Sequence, residues 1–229
     1  FTILEEGTEF VQRFTKEPQK LPLITSCCPA WVDYMEKYYS DMIPHFSTAK
    51  SPQQMMGAMI KTFWAQKTGV EPKKIFSVSI MPCTAKKYET GRNKDMFSSG
   101  YKDVDITLTT RELARMIKQA GIDLVNLPDS EPDSPMGPYT GAGVIFGATG
   151  GVMEAALRTA YNLITKQELK DVNFTAVRGM SGVKETRIHI SGSEVRIAVA
   201  HQMGNIAAVL NEIRRSEEHT SELQSRQVI

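Results

Sequence analysis

Cysteine is scarce in this 229-residue sequence. There are three: Cys27, Cys28 and Cys83. Two of them are sequence neighbours, which rarely bridge each other, so no disulfide framework is expected and a reducing compartment fits better. Charge of one sign is lacking as well. The formal net charge is +1, which leaves no strong field for nucleic acid or an anionic membrane. No apolar stretch is long enough for a spanning helix. No basic-then-apolar leader opens the sequence, so no export signal is expected. Internal repeats are absent too. What is present is an ordinary globular balance, with 41% hydrophobic and 23% charged residues, enough for one large domain or two small ones. Phe1 falls inside a helical pattern, from which a piece of a longer chain is expected.

Residues 2–16 predict an amphipathic helix, with Ile3, Phe10, Val11 and Phe14 apolar and Glu5, Glu6, Glu9 and Arg13 polar. Leu21 to Ile24 reads as a short strand leading into Ser26-Cys27-Cys28-Pro29. Thr25 or Ser26 is suited to cap a helix from Ala30 to Tyr39, with Pro29 in its first turn. Another helix starts at Ser51-Pro52 and runs to about Lys67, before Gly69. Ile75 to Ile80 predicts a buried strand that delivers Met81-Pro82-Cys83, and Val104 to Leu108 a second strand. Thr109 or Thr110 caps a helix over 111–120, closed by Gly121. Residues 126–143 read as loop, and the glycines at 147–151 open a helix to about Thr165. Strands are expected at 172–178, 184–190 and 194–200, and a helix from Gln202 to Arg214. Strands alternating with helices argue an α/β fold with a largely parallel sheet.

Cys28 and Cys83 each follow an apolar run, at the sheet edge where parallel α/β folds bind ligands. Amide groups at a helix start lower a thiol's pKa and make it a better iron ligand. Each is also next to a proline, which stiffens the backbone. The plain alternative is three buried structural thiols. Met55 and Met59, at helical spacing, read as core filler. His45, His189 and His201 have no partner pattern, and His219 lies in a polar tail. The glycines of Gly141 to Gly151 match no phosphate-binding loop and read as close backbone approach.

Thr25-Ser26-Cys27-Cys28-Pro29-Ala30-Trp31 resembles the first cluster motif of the FeFe (iron-only) hydrogenases, TSCCPxW. Met81-Pro82-Cys83-Thr84-Ala85-Lys86-Lys87-Tyr88-Glu89 resembles the second, MPCxxKxxE. Similar stretches lie at residues 5–9, 47–54, 109–118 and 141–158. The resemblance covers residues 1–214, read as a partial catalytic domain. It implies two lobes of mostly parallel sheet flanked by helices, with the metal cluster between them, incomplete at both ends. It implies reversible conversion of hydrogen to two protons and two electrons at a 4Fe–4S cubane joined to a two-iron centre carrying carbon monoxide, cyanide and azadithiolate. By the same resemblance Cys28 and Cys83 are cubane ligands. Cys27 passes the proton, and Lys86 donates to a cyanide. Glu9, Ser47 and Glu6 relay protons to Cys27, with Arg13 near the outer end. Such groups suit a relay because carboxyl and hydroxyl groups both give and accept protons. Ser51, Pro52, Gln53, Met81 and Phe146 would line the cofactor pocket. The implied partners are ferredoxin or another redox carrier and the hydrogenase maturation proteins. No nucleic acid and no membrane span are expected, and the implied setting is the cytoplasm of an anaerobic microorganism.

A cubane takes four ligands, and this assignment provides two. The family's third motif, of the type ACxGGCxxGGGQP, is expected after the helix at 202–214 and is not in the sequence, so the fragment alone is expected to be inactive. Residues 215–229 look instead like an in-frame translation of a sequencing-library adapter. Two other readings stand beside the enzyme: a non-catalytic hydrogenase-like iron–sulfur assembly protein, and a hydrogen-sensing module. The double cysteine, Lys86, Glu6, Glu9 and Ser47 together favour the enzyme.

Overall fold

The computed structural model describes residues 1–138, 140–148, 150–170, 172–173, 175–177 and 182–218. In chain order the helices are α1 (Thr2–Lys16), α2 (Pro29–Tyr38), α3 (Pro52–Met59), α4 (Ala65–Thr68), α5 (Ala85–Glu89), α6 (Thr110–Gln119), α7 (Gly141–Ile145), α8 (Gly151–Thr165) and α9 (Met203–Glu218). The strands are β1 (Val78–Met81), β2 (Ile106–Thr109), β3 (Thr175–Ala176), β4 (Val183–Ile190) and β5 (Ser193–Ala200). The α/β class expected from the sequence holds. The chain divides into two units.

The first unit comprises Phe1–Ser26, Tyr34–Ala49 and Thr140–Ile229. Helix α1 turns Ile3, Gly7, Phe10 and Arg13 inward, the three- and four-residue spacing of one helical face. Phe10 joins Leu23, Met153, Leu157 and Ala160 against Ile188, Ile190, Val195 and Ile197 of the sheet. Each large aliphatic side chain buried this way contributes about 1.5–3 kcal/mol. The sheet order is β3-β4-β5 and both pairings are antiparallel, which corrects the expectation of mostly parallel sheet. The cause is local. Ser191 and Gly192 both take positive φ, 50° and 85°, in a two-residue turn that matches strand twist and closes a hairpin. Of the strand expected at 172–178, Thr175–Ala176 is paired, while 174 and 178 lie outside the described residues. Leu21 to Ile24 shortens to a single bridge, Ile24 with Phe46, since Pro22 has no N–H for a ladder. Helix α9 continues past Arg214 to Glu218, because no Pro or Gly in 215–218 interrupts it. The expectation for the rest of the tail, 219–229, falls outside the described residues.

The second unit comprises Cys27–Asp33 and Lys50–Tyr139. Helices α3 and α4 are joined by a π-helical turn, Ile60–Trp64, and end at Gly69 in the left-handed region. Strands β1 and β2 pair in parallel, Val78 opposite Ile106 through Met81 opposite Thr109. Thr109 then caps α6 in a capping box with Glu112. Strand β1 was expected to be buried. Instead Val78 and Ile80 are 48% and 41% exposed, and the sheet's other face carries Ser79 and the buried Thr107 against Gln53. The alternation Ser77-Val78-Ser79-Ile80 gives two unlike faces, and the polar face is the one that packs inward. Buried ion pairs pin the segment before β2. Lys61 reaches Asp105 at 2.6 Å, and Lys50 reaches Asp103 at 2.9 Å.

Helix α3 crosses that segment closely. A Cβ on Gly57 would stand 2.5 Å from the Asp103 carbonyl oxygen and 2.8 Å from Val104 Cγ2. Gly57→Ala is therefore expected to destabilise the chain by about 1–3 kcal/mol, the cost of overpacking, although alanine is the better helix former. Urea unfolding measures this, and an unchanged midpoint would mean that the crossing yields freely.

Candidate active site

Cys28 stands at the start of α2, where its carbonyl accepts from Val32 N at 3.1 Å. Cys28 thus occupies the cap position, and Pro29 sits where a missing N–H costs nothing. The Thr25 hydroxyl, one of two expected caps, donates instead to Glu6 Oε1 at 2.6 Å. Cys83 follows β1 and precedes α5. All three cysteines are thiols; Cys27 is exposed, and Cys28 and Cys83 are half-buried.

Lys86 ties the two cysteine segments together. Its ammonium is 6% exposed as a residue and donates to the Cys27 carbonyl at 2.6 Å and to Glu89 Oε2 at 2.9 Å. Gln53, also buried, donates through Nε2 to Glu89 Oε2 at 2.8 Å and to the Lys86 carbonyl at 3.2 Å. Gln53 Oε1 accepts from Ser79 at 2.8 Å. Pro52 opens α3, and Met81 ends β1 half-buried. Among the described residues the buried Ser51 hydroxyl has no hydrogen-bond partner, nor has the amide of Gln54, a fully buried side chain. Orphaned buried groups of this kind cost about 1–3 kcal/mol each, and they mark places where a polar ligand fits. Gln54 was not singled out from the sequence, since a helical glutamine carries no signal of its own burial. Among the described residues no three His, Cys, Asp or Glu side chains gather into a metal-binding set. The polar groups on these segments are two half-buried thiols, one buried ammonium and the orphaned groups of Ser51 and Gln54.

The acidic residues of α1 belong to the first unit. Glu9 Oε2 accepts from Ser47 Oγ at 2.7 Å, two residues that the resemblance made neighbours in a path. Thr48 N donates to both Glu9 oxygens at 3.1 Å. Arg13 pairs with Glu9 at 2.7 Å and also donates to the carbonyls of Lys20, Pro44, His45 and Phe46. At 4% exposure it is a buried organiser of this loop. Glu6 bonds to Thr25, a partner that sequence spacing did not reveal. Phe146 lies half-buried just after α7.

The family model described as iron only hydrogenase large subunit, C-terminal domain, matches residues 1–223. The periplasmic iron hydrogenase large subunit of Nitratidesulfovibrio vulgaris is 51% identical over 214 residues, which is 93% of this chain and 51% of that protein. The chain thus spans about half the length of this curated relative. Cytosolic iron-sulfur assembly component 3 of Rattus norvegicus is 35% identical over 227 residues, covering 94% of this chain and 47% of that protein. Among solved structures, an apo FeFe-hydrogenase from Chlamydomonas reinhardtii superposes with a TM-score of 0.81 at 39% identity, covering 100% of this chain and 64% of that one.

Burial holds the Glu6 carboxyl above the ordinary carboxylate range; the Thr25 hydrogen bond opposes the shift and the charge of Glu9 adds to it. A raised acid favours folding in its protonated form. Its contribution is full below the unfolded-state pKa and is lost as pH rises through the folded-state value. Glu6→Gln, neutral throughout, is expected to gain stability relative to the parent as pH rises through and above the ordinary glutamate range. A stability difference that stays flat across that range would refute the burial argument.

Proposed function

The chain belongs to the iron-only hydrogenase large-subunit family, in its C-terminal domain, and from that premise we propose that it is part of an enzyme that interconverts hydrogen with two protons and two electrons. The observation that carries this reading is Lys86. A buried ammonium is fixed on the backbone of the double-cysteine segment, and its bonds to the Cys27 carbonyl and Glu89 engage two of its three N–H groups. When bound, a 4Fe–4S cluster linked to a two-iron centre would supply the place where the H–H bond is made or broken and electrons leave.

In this reading Cys28 and Cys83 hold the cubane through their thiolates. The remaining N–H of Lys86 donates to an anionic diatomic ligand, a charge-assisted bond. The Cys27 sulfur gives up and takes back a proton, a role that exposure favours over ligation. Glu6, Glu9 and Ser47 belong to the path that serves that thiol, and the Glu9–Ser47 bond supports the assignment. Ser51, Pro52, Gln53, Met81 and Phe146 border the bound group. Four ligands are needed and Cys27 is reserved for protons. Two donors therefore come from outside these 229 residues, and the chain alone is expected to show no hydrogen turnover. Ferredoxin or a related carrier takes the electrons, and maturation proteins install the two-iron centre. Among the described residues no helix is long and apolar enough to cross a membrane.

The similarity to an iron–sulfur assembly component favours a second reading, cluster binding without turnover. Adjacent cysteines separate the two. In a full-length parent matured with its two-iron centre, Cys28→Ala and Cys83→Ala are expected to lose cluster iron and its infrared carbon monoxide and cyanide bands. Cys27→Ala is expected to keep the bands while hydrogen evolution from a reduced dye falls ~100- to 10,000-fold. Full rate in Cys27→Ala would overturn the proton role, and a parent that loads cluster but never turns over would favour assembly. For residues 215–229, long-read sequencing of the locus decides. Adapter translation predicts native codons there with two further cysteines, and recovery of the same tail in an uninterrupted genome would sink that reading.

A further inference from the structure

A run of buried polar groups leads to the first cysteine motif from the inner face of the sheet. Ser79 donates to Gln53, Gln53 and Lys86 both donate to Glu89 Oε2, and Lys86 donates to the Cys27 carbonyl. Gln53, Lys86 and Glu89 are each under one-tenth exposed. Lys86 and Glu89 lie three apart on α5, a helix of five residues, too short to hold its own shape. Such a buried ion pair is a poor device for stability alone, since apolar residues of equal volume usually do as well or better. Its geometry supplies direction instead. An ammonium has three donors, and Glu89 and Cys27 engage two of them.

We propose that Glu89 and Gln53 are positioning residues, which hold Lys86 on the Cys27 carbonyl and keep its third N–H aimed away from both for a ligand. The identity of that ligand rests on the hydrogenase reading; the positioning does not. Without Glu89 the ammonium is left buried and unpaired, so it turns to solvent or gives up its proton. Either change frees the Cys27 carbonyl and loosens the segment carrying Cys28. Without Gln53 the Glu89 carboxylate loses its second donor, and Ser79 loses its acceptor.

The metal-free 229-residue chain tests this by the rate at which iodoacetamide alkylates each thiol, read by peptide mass spectrometry. Lys86→Ala is expected to raise the Cys28 rate roughly tenfold, the scale set by losing a hydrogen bond to a charged group. Glu89→Ala should approach the same rate and Gln53→Leu should move part of the way. Glu89→Gln keeps an acceptor and should restore part of the protection. Cys83 precedes α5 and takes no hydrogen bond from the Lys86 ammonium, so it should stay near its parent rate. Parent-like Cys28 labelling in Glu89→Ala beside fast labelling in Lys86→Ala overturns the proposal. So does an equal rise at Cys28 and Cys83, which signals general unfolding. Should Glu89→Ala fail to fold, parent-like labelling in both Glu89→Gln and Gln53→Leu overturns it as well. Failure of the hydrogenase reading would appear separately, in cluster loading and gas evolution of the full-length parent.

Discussion

The buried pair of Lys86 and Glu89 is the constraint on which the second unit's chemistry depends. The two cysteine motifs are far apart in sequence, and the Lys86–Cys27 bond ties the backbone of one to α5 of the other. An unpaired charge at that burial is not tolerated, so Glu89 must be where it is. Glu89 in turn requires Gln53, and Gln53 requires the hydroxyl of Ser79. This explains why the polar face of β1 is its inner face and why the apolar face, with Val78 and Ile80, is the open one.

The first unit is organised by Arg13 in a comparable way. A guanidinium presents a rigid fork of donors, and here they reach four backbone carbonyls and Glu9. The carbonyls belong to the segments around Lys20 and Pro44–Phe46, so one side chain sets the loop that brings Ser47 and Thr48 to Glu9. Glu6, one turn away on α1, lies in another environment. It is half-buried and bonded to a neutral hydroxyl, and burial holds its carboxyl above the ordinary range. Two carboxyls one turn apart on α1 thus sit in unlike surroundings, Glu9 bonded to a guanidinium and Glu6 to a neutral hydroxyl.

Much of the fold was legible in the residues. The helix at 2–16, the stop at Gly69, the capping box at Thr109 and Glu112, and the helix from Gly151 all follow from local rules of periodicity and capping. Strand direction was less so. A run such as Val183–Ile190 reads the same in either sheet type, and the antiparallel outcome hangs on Ser191 and Gly192 accepting positive φ. The helix boundary at Arg214 moved to Glu218, because polar composition weakens a helix without forbidding it.

By itself, the sequence determined the chemistry available: a double cysteine before a proline, a third cysteine after a strand, and Lys86 and Glu89 at helical spacing behind it. These are covalent facts and short-range spacings, which the chain carries whatever its fold. Tertiary structure decided which of these groups are buried and which donors are already engaged. It gave Lys86 a partner on the Cys27 backbone, took the Gln53 amide for Glu89, left Ser51 and Gln54 without partners among the described residues, and made Arg13 a buried hub. The reason is that desolvation and hydrogen-bond saturation are properties of a place in the packed molecule, set by residues distant in sequence, and no local pattern encodes them.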